Sequence, residues 1–162
     1  MQPAVPRGYR FRPTAEELIT HYLLKKVRGE ELPWGGIHEC DLYGEKNPWK
    51  ICEAYDHDED KFYFFTNLKK LKTQNRIARS AGCGTWQGNN IGDNIYDKSG
   101  KHVIGLNKLF SFKVKDGSRM EKSGWIMHEF SLAGVSLVGE REKSNKLVLC
   151  VLQRRGSEFR YQ

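Results

Sequence analysis

The chain lacks the paired cysteines from which zinc sites are usually built. Its four cysteines, Cys40, Cys52, Cys83 and Cys150, form no C-x-x-C pair, and no histidine stands at a zinc-finger spacing from them. That pattern argues against the common structural metal frameworks and for reduced, packed thiols, so no metal and no cofactor is expected. No apolar run approaches the roughly 18 residues of a membrane span. The opening MQPAVPRGYRF has no apolar signal segment, so the expectation is a soluble intracellular chain without a membrane partner. Internal repeats and low-complexity tracts are also missing. Between Asn67 and Asn90 there is no Asp or Glu at all.

That last absence is local, and it coincides with an excess of cations. The 162 residues carry a net charge of +7, with −3 on residues 1–66 and +10 on residues 67–162. A chain of this length is expected to form one domain, 1–162, with a core over about 6–155 and a tail at 156–162. The lopsided charge points its second part toward a polyanionic partner, although excess lysine alone also serves solubility.

The first helix is expected in RPTAEELITHYLLKKV. Thr14 and Glu17 form an S/T-x-x-E capping box after Pro13, and Leu18, Ile19, Tyr22, Leu23 and Val27 recur at helical spacing. IHECDLY is expected to be at most a short helix or turn. The period then changes to two: KFYFFT (61–66), HVIGLNKLFSFKVK (102–115), GWIMHEFSL (124–132) and KLVLCVLQR (146–154) read as strands, the last so continuously apolar that it should be central. DKSGK and KDGSR are turn chemistry. A helix followed by a run of strands predicts an α+β fold with an antiparallel sheet.

Several apparent catalytic motifs fail. Gly82 and Gly84 lack a third glycine for a dinucleotide loop, because Gln87 stands there. His128-Glu129 lacks the second histidine of a zinc protease helix and reads as a strand residue with a satisfied ring. Cys83 has no local base and suits a tight turn. EAYDHDED lacks the glycine and terminal glutamate of a calcium loop and reads as solvated. No enzyme is indicated.

The cationic segment carries more. In NLKKLKTQNRIARSAGCGTWQGNN, five Lys or Arg precede a tryptophan and a row of amides. If Thr85–Asn90 is extended, Trp86 and Gly88 face one way while Gln87 and Asn89 face the other. Amides projecting from a narrow strand suit adenine edges in a major groove, and an exposed edge strand is the competing reading.

The chain resembles the NAC domain of plant transcription regulators from about Pro6 to Val151. The likeness rests on five ordered blocks: PRGYRFRPTAEELITHYL, CDLYGEKNPW, KFYFFTNLKKLKTQNRIARSAGCGTW, then IGLNKLFSF with SGWIMHEFSL, and LVLCVL. The resemblance implies a twisted antiparallel sheet flanked by helices, homo- or heterodimers, binding to double-stranded DNA with a CGT-type core, and a nuclear location. It implies a dimer interface at Gly8, Tyr9, Arg10 and Phe11, with reciprocal Arg10–Glu17 ion pairs. It further implies phosphate contacts from Lys70, Arg76 and Arg79, a reading strand of Trp86, Gln87, Gly88, Asn89 and Asn90, and backbone contacts from Arg119 and Lys122 in a long loop.

This sequence departs from the family's W-K-A-T-G strand at four positions, with Gln87 for Lys, Gly88 for Ala, Asn89 for Thr and Asn90 for Gly. One cation is lost and backbone freedom is added at Gly88. The expectation is therefore DNA binding through phosphates with a shifted base preference. The alternative is a NAC-like dimerisation module that no longer reads DNA.

Overall fold

The computed structural model describes residues 11–55, 60–70, 77–88, 91–137 and 147–155. Helix α1 runs over residues 15–28. Its N-cap is the expected box: Thr14 N–H donates to Glu17 Oε1 at 3.0 Å, and Glu17 N–H donates to Thr14 Oγ1 at 3.2 Å. From Leu18 to Leu23 the helix widens to π geometry. There Thr20 Oγ1 donates to the Glu16 carbonyl at 2.9 Å, a bond that competes with the backbone ladder. A second helix, α2 (Pro48–Cys52), begins on Pro48, whose missing N–H is no loss at the first helical position.

The strands are β1 (His38–Glu39), β2 (Lys61–Asn67), β3 (Lys69–Lys70), β4 (Ile77–Ala78), β5 (Ser80–Ala81), β6 (Gly84–Gly88), β7 (Asp93–Tyr96), β8 (Val103–Asp116), β9 (Arg119–Leu132) and β10 (Leu147–Arg154). The main sheet has the order β1-β2-β10-β9-β8-β6-β5, and β7 also pairs with β8. β3 and β4 make a separate hairpin. The fold is α+β with an antiparallel sheet, save for β1, which lies parallel to β2. IHECDLY thus contributes a short parallel edge instead of a helix or turn, because Cys40 N–H also reaches the Phe65 carbonyl at 3.0 Å.

Strand β10 is central, as its apolar run requires. Val148, Cys150 and Leu152 pack on one face of the sheet with Phe64, Trp86, Phe110, Phe112, Trp125 and Met127, under a lid of Leu42, Tyr43, Ile51 and Cys52. Leu149 and Val151 pack on the other face with Phe65 and Phe130, under the α1 side chains Leu18, Ile19, Tyr22, Leu23 and Val27. Fully burying each such side chain contributes about 1.5–3 kcal/mol. Long β8 is bordered by β7 along its beginning and by β6 along its end. The sheet therefore carries β6, with β5 outside it, to one extremity.

Candidate nucleic-acid interface

β5 and β6 form a tight hairpin through Gly82 and Cys83. Gly82 has φ +50°, a conformation that a residue with a side chain adopts only at a cost. Its N–H donates to the Gly44 carbonyl at 2.9 Å, and Cys83 N–H donates to Asn47 Oδ1 at 2.9 Å. A Cβ at Gly82 would lie 2.2 Å from that same Asn47 oxygen. The turn is thus bolted to the segment before α2. Cys83 occupies a tight turn, as the sequence predicts.

Trp86 anchors the strand. It is buried, its ring lies 5.0 Å from that of Phe112, and its N–H donates to the Arg79 carbonyl at 2.9 Å. Its Nε1–H has no hydrogen-bond partner among the described residues, so among these the indole is held by packing. β6 pairs with β8 in the register Thr85↔Lys113, Trp86↔Phe112, Gln87↔Ser111 and Gly88↔Phe110. Burial of Trp86 turns Gln87 outward, where it is exposed. β5 pairs only with Gly84 and Thr85, so Gln87 and Gly88 have no outer strand among the described residues. Gly88 has a role other than flexibility: a Cβ there would meet the Leu109 carbonyl oxygen at 2.1 Å and Phe110 at 2.9 Å. The glycine lets β8 approach closely. Asn89 and Asn90 lie outside the described residues.

The register places Thr85, Gln87, Ser111 and Lys113 on one face, with Lys122 opposite Lys113 on β9. Leu109 stands on the same alternation, 42% exposed. This corner is open, polar and cationic.

The cations of the preceding run divide into different uses. Lys70 belongs to β3, opposite Ile77, and Lys69 opposite Ala78. Lys69 Nζ forms an ion pair with Asp41 Oδ2 at 2.6 Å, and that hydrogen bond lowers the Asp41 pKa. Lys72 and Arg76 lie outside the described residues. Arg79, expected on phosphates, is engaged inside the fold. Its guanidinium forks onto the buried Glu129 carboxylate, through Nη1 to Oε2 and through Nη2 to Oε1 at 3.2 Å. The Tyr43 hydroxyl donates to Glu129 Oε2 at 2.9 Å and accepts from Arg79 Nη1 at 2.9 Å. The two charged side chains are 11% and 2% exposed. The guanidinium also lies 4.1 Å from the Phe110 ring centroid. Burial disfavours the Arg79 charge, but the hydrogen bond and attraction to Glu129 outweigh it and raise its pKa. Burial also raises the Tyr43 pKa, so the phenol stays protonated.

Glu129 is the residue that sequence reading missed. A signal was present: it continues the inward alternation of Trp125 and Met127, so a carboxylate there needs a buried cation. Its neighbour His128 behaves as expected, with Nδ1 3.1 Å from Asn107 Oδ1 and a pKa lowered by burial.

Arg119 and Lys122 sit on strand rather than in a long loop. β8 and β9 continue as a hairpin to Asp116↔Arg119, beyond an irregularity near Ser111 and Lys113. Both residues are exposed, and neither makes an ion pair with a described residue. The expected KDGSR turn is the hairpin tip.

At the far end of the chain, Phe11 packs among Trp34 at 4.0 Å, Tyr63 at 4.8 Å and Tyr22 at 5.3 Å. Glu17 is half-buried at the start of α1, with Oε1 bonded to Thr14 and its pKa lowered by that backbone bond. Gly8, Tyr9 and Arg10 lie outside the described residues.

The profile of the no apical meristem (NAM) protein family matches residues 6–132. The chain belongs to that family. Among curated relatives it is 37% identical over 153 residues to NAC domain-containing protein 68 of Oryza sativa subsp. japonica, a match covering 91% of this chain and 48% of the relative. It is 37% identical over 131 residues to Protein CUP-SHAPED COTYLEDON 1 of Arabidopsis thaliana, covering 80% and 42%. It is 35% identical over 132 residues to NAC transcription factor 56 of Arabidopsis thaliana, covering 81% and 36%. The chain spans about half the length or less of these NAM relatives. The open corner at β6 therefore belongs to a NAM-family domain.

Proposed function

We propose that this NAM-family chain is the sequence-preferring, double-stranded DNA-binding domain of a dimeric plant transcription regulator acting in the nucleus. The observation that carries the reading is the exposed end of β6, with Gln87 outward beside Ser111 and Lys113 and no outer strand partner among the described residues. A two-stranded ribbon of this width enters a major groove, where a Gln amide pairs with adenine N6 and N7. Two cationic hairpins adjoin it in the connectivity, β3–β4 before β5 and the β8–β9 tip beside β6. Lys70, Arg76, Arg119 and Lys122 contact phosphates, and Gln87, Asn89 and Asn90 read bases. Gly8, Tyr9, Arg10 and Phe11 pair with their counterparts in a second protomer, where Arg10 reaches the partner's Glu17 at its second carboxylate oxygen.

A second reading, a dimerisation module without specific DNA binding, is favoured by the internal pairing of Lys69 and Arg79 and by the uncharged Gln87. Selection from a random duplex library separates the two. The DNA reader recovers a defined core related to, but distinct from, the CGT type. Recovery of no enriched core contradicts it.

A further inference from the structure

We infer that Arg79, Glu129 and Tyr43 form a buried positioning device that sets the pitch of the β6 reading strand, so that an acidic residue remote from the ligand is required for base discrimination. The inference rests on the DNA-reading function proposed above. Arg79 holds β6 by its main chain while its side chain is fixed to the sheet. Its carbonyl accepts the Trp86 N–H at 2.9 Å and the Thr85 hydroxyl at 3.2 Å. Its guanidinium forks onto Glu129 on β9, and Tyr43 closes the triangle from the lid over that face. Phe110, under the guanidinium, is the register partner of Gly88. The residues before and after Gln87 are therefore located by one ion pair, from the backbone at Trp86 and from beneath at Gly88. A buried fork of this kind has a fixed orientation, unlike an exposed ion pair.

This role and a phosphate role for Arg79 have opposite consequences at Glu129. If Arg79 contacted phosphate, Glu129→Gln would remove a competing anion, free the guanidinium and raise affinity for any duplex. As a positioning residue, Arg79 loses its fixed orientation in Glu129→Gln, and discrimination falls. The experiment uses the whole chain with two probes: the duplex recovered by selection and its scrambled counterpart, each titrated across salt. Variants are Glu129→Gln, Arg79→Lys and Tyr43→Phe, with Arg119→Ala as the phosphate-contact control. The ratio of affinities for the two duplexes is expected to fall about tenfold in Glu129→Gln and Arg79→Lys, a loss of bidentate readout at one base pair, and by less in Tyr43→Phe. Their log–log salt slopes stay at the wild-type value, whereas Arg119→Ala reduces its slope by about 1. The Trp86 indole N–H resonance should shift in step with the ratio, which a general loss of stability would not produce in the folded fraction. Tyr43→Phe retains the ring packing and keeps the test open if the charge variants do not fold. An unchanged ratio in a folded variant, or a rise in affinity for both duplexes in Glu129→Gln, overturns the positioning role. No preference in the wild type overturns the DNA reading itself, and this role with it.

Discussion

Gln87 owes its direction to its neighbours. Trp86 is buried against Phe112 and Gly88 is pressed against the β8 backbone, which leaves Gln87 the outward position. Gln87→Ala should lower discrimination at one base pair by about 1–3 kcal/mol without changing the salt slope. Competition binding with single-base variants of the selected duplex measures this, and uniform weakening across all of them would contradict it. Gly82 is constrained differently, by φ +50° and the Asn47 oxygen. Gly82→Ala should cost about 1–2 kcal/mol from the backbone alone, and more once Asn47 moves, read as a lowered urea midpoint at unchanged slope. At this scale the sequence was partly legible. Cys83 as turn residue follows from residue type and local spacing. The division of labour among the cations does not, because Lys69 finds Asp41 across 28 residues and Arg79 finds Glu129 across 50.

The elements show the same division. The α1 cap was readable because Thr14 and Glu17 are three residues apart, and β10 was readable as central because both faces of it are apolar. The parallel pairing of β1 was not, since two residues carry too little pattern to declare a strand. Nor was the extension of β9 back to Arg119, whose solvent-facing Met120, Glu121 and Lys122 have no core face to alternate against. His128 on β9 gives the sheet a pH dependence. Burial lowers its folded pKa below the ordinary 6.5, so the unfolded chain takes up the proton first. Its contribution to stability is present above about 6.5 and is lost as pH falls from there toward the folded value. His128→Gln should flatten that part of a urea-midpoint series, and an equally steep fall in the variant would remove His128 as the cause.

For the whole molecule, the two ends of the chain's charge have separate uses. The N-terminal part, net −3, carries the proposed dimer contacts, and the rest, net +10, carries the proposed DNA contacts. An exposed ion pair contributes only about 0–1 kcal/mol, so Arg10→Ala should leave the dimer nearly intact. Arg10→Glu sets like charges together and should shift sedimentation toward the monomer at micromolar concentration. An undiminished dimer in that variant would dismiss the Arg10–Glu17 pair.

The central claim is that one corner of this sheet reads a DNA sequence while the cationic hairpins beside it hold phosphates. The most direct measurement is equilibrium binding of the whole chain to the selected duplex and to its scrambled counterpart over a series of salt concentrations. The expected result is a log–log slope near −4 to −5 per bound protomer, about 4–6 phosphate contacts, together with a clear preference for the selected duplex at every salt concentration. A shallow slope with equal affinity for the two duplexes, or no binding at low salt, would contradict the account and leave the dimerisation module as the function of this fold.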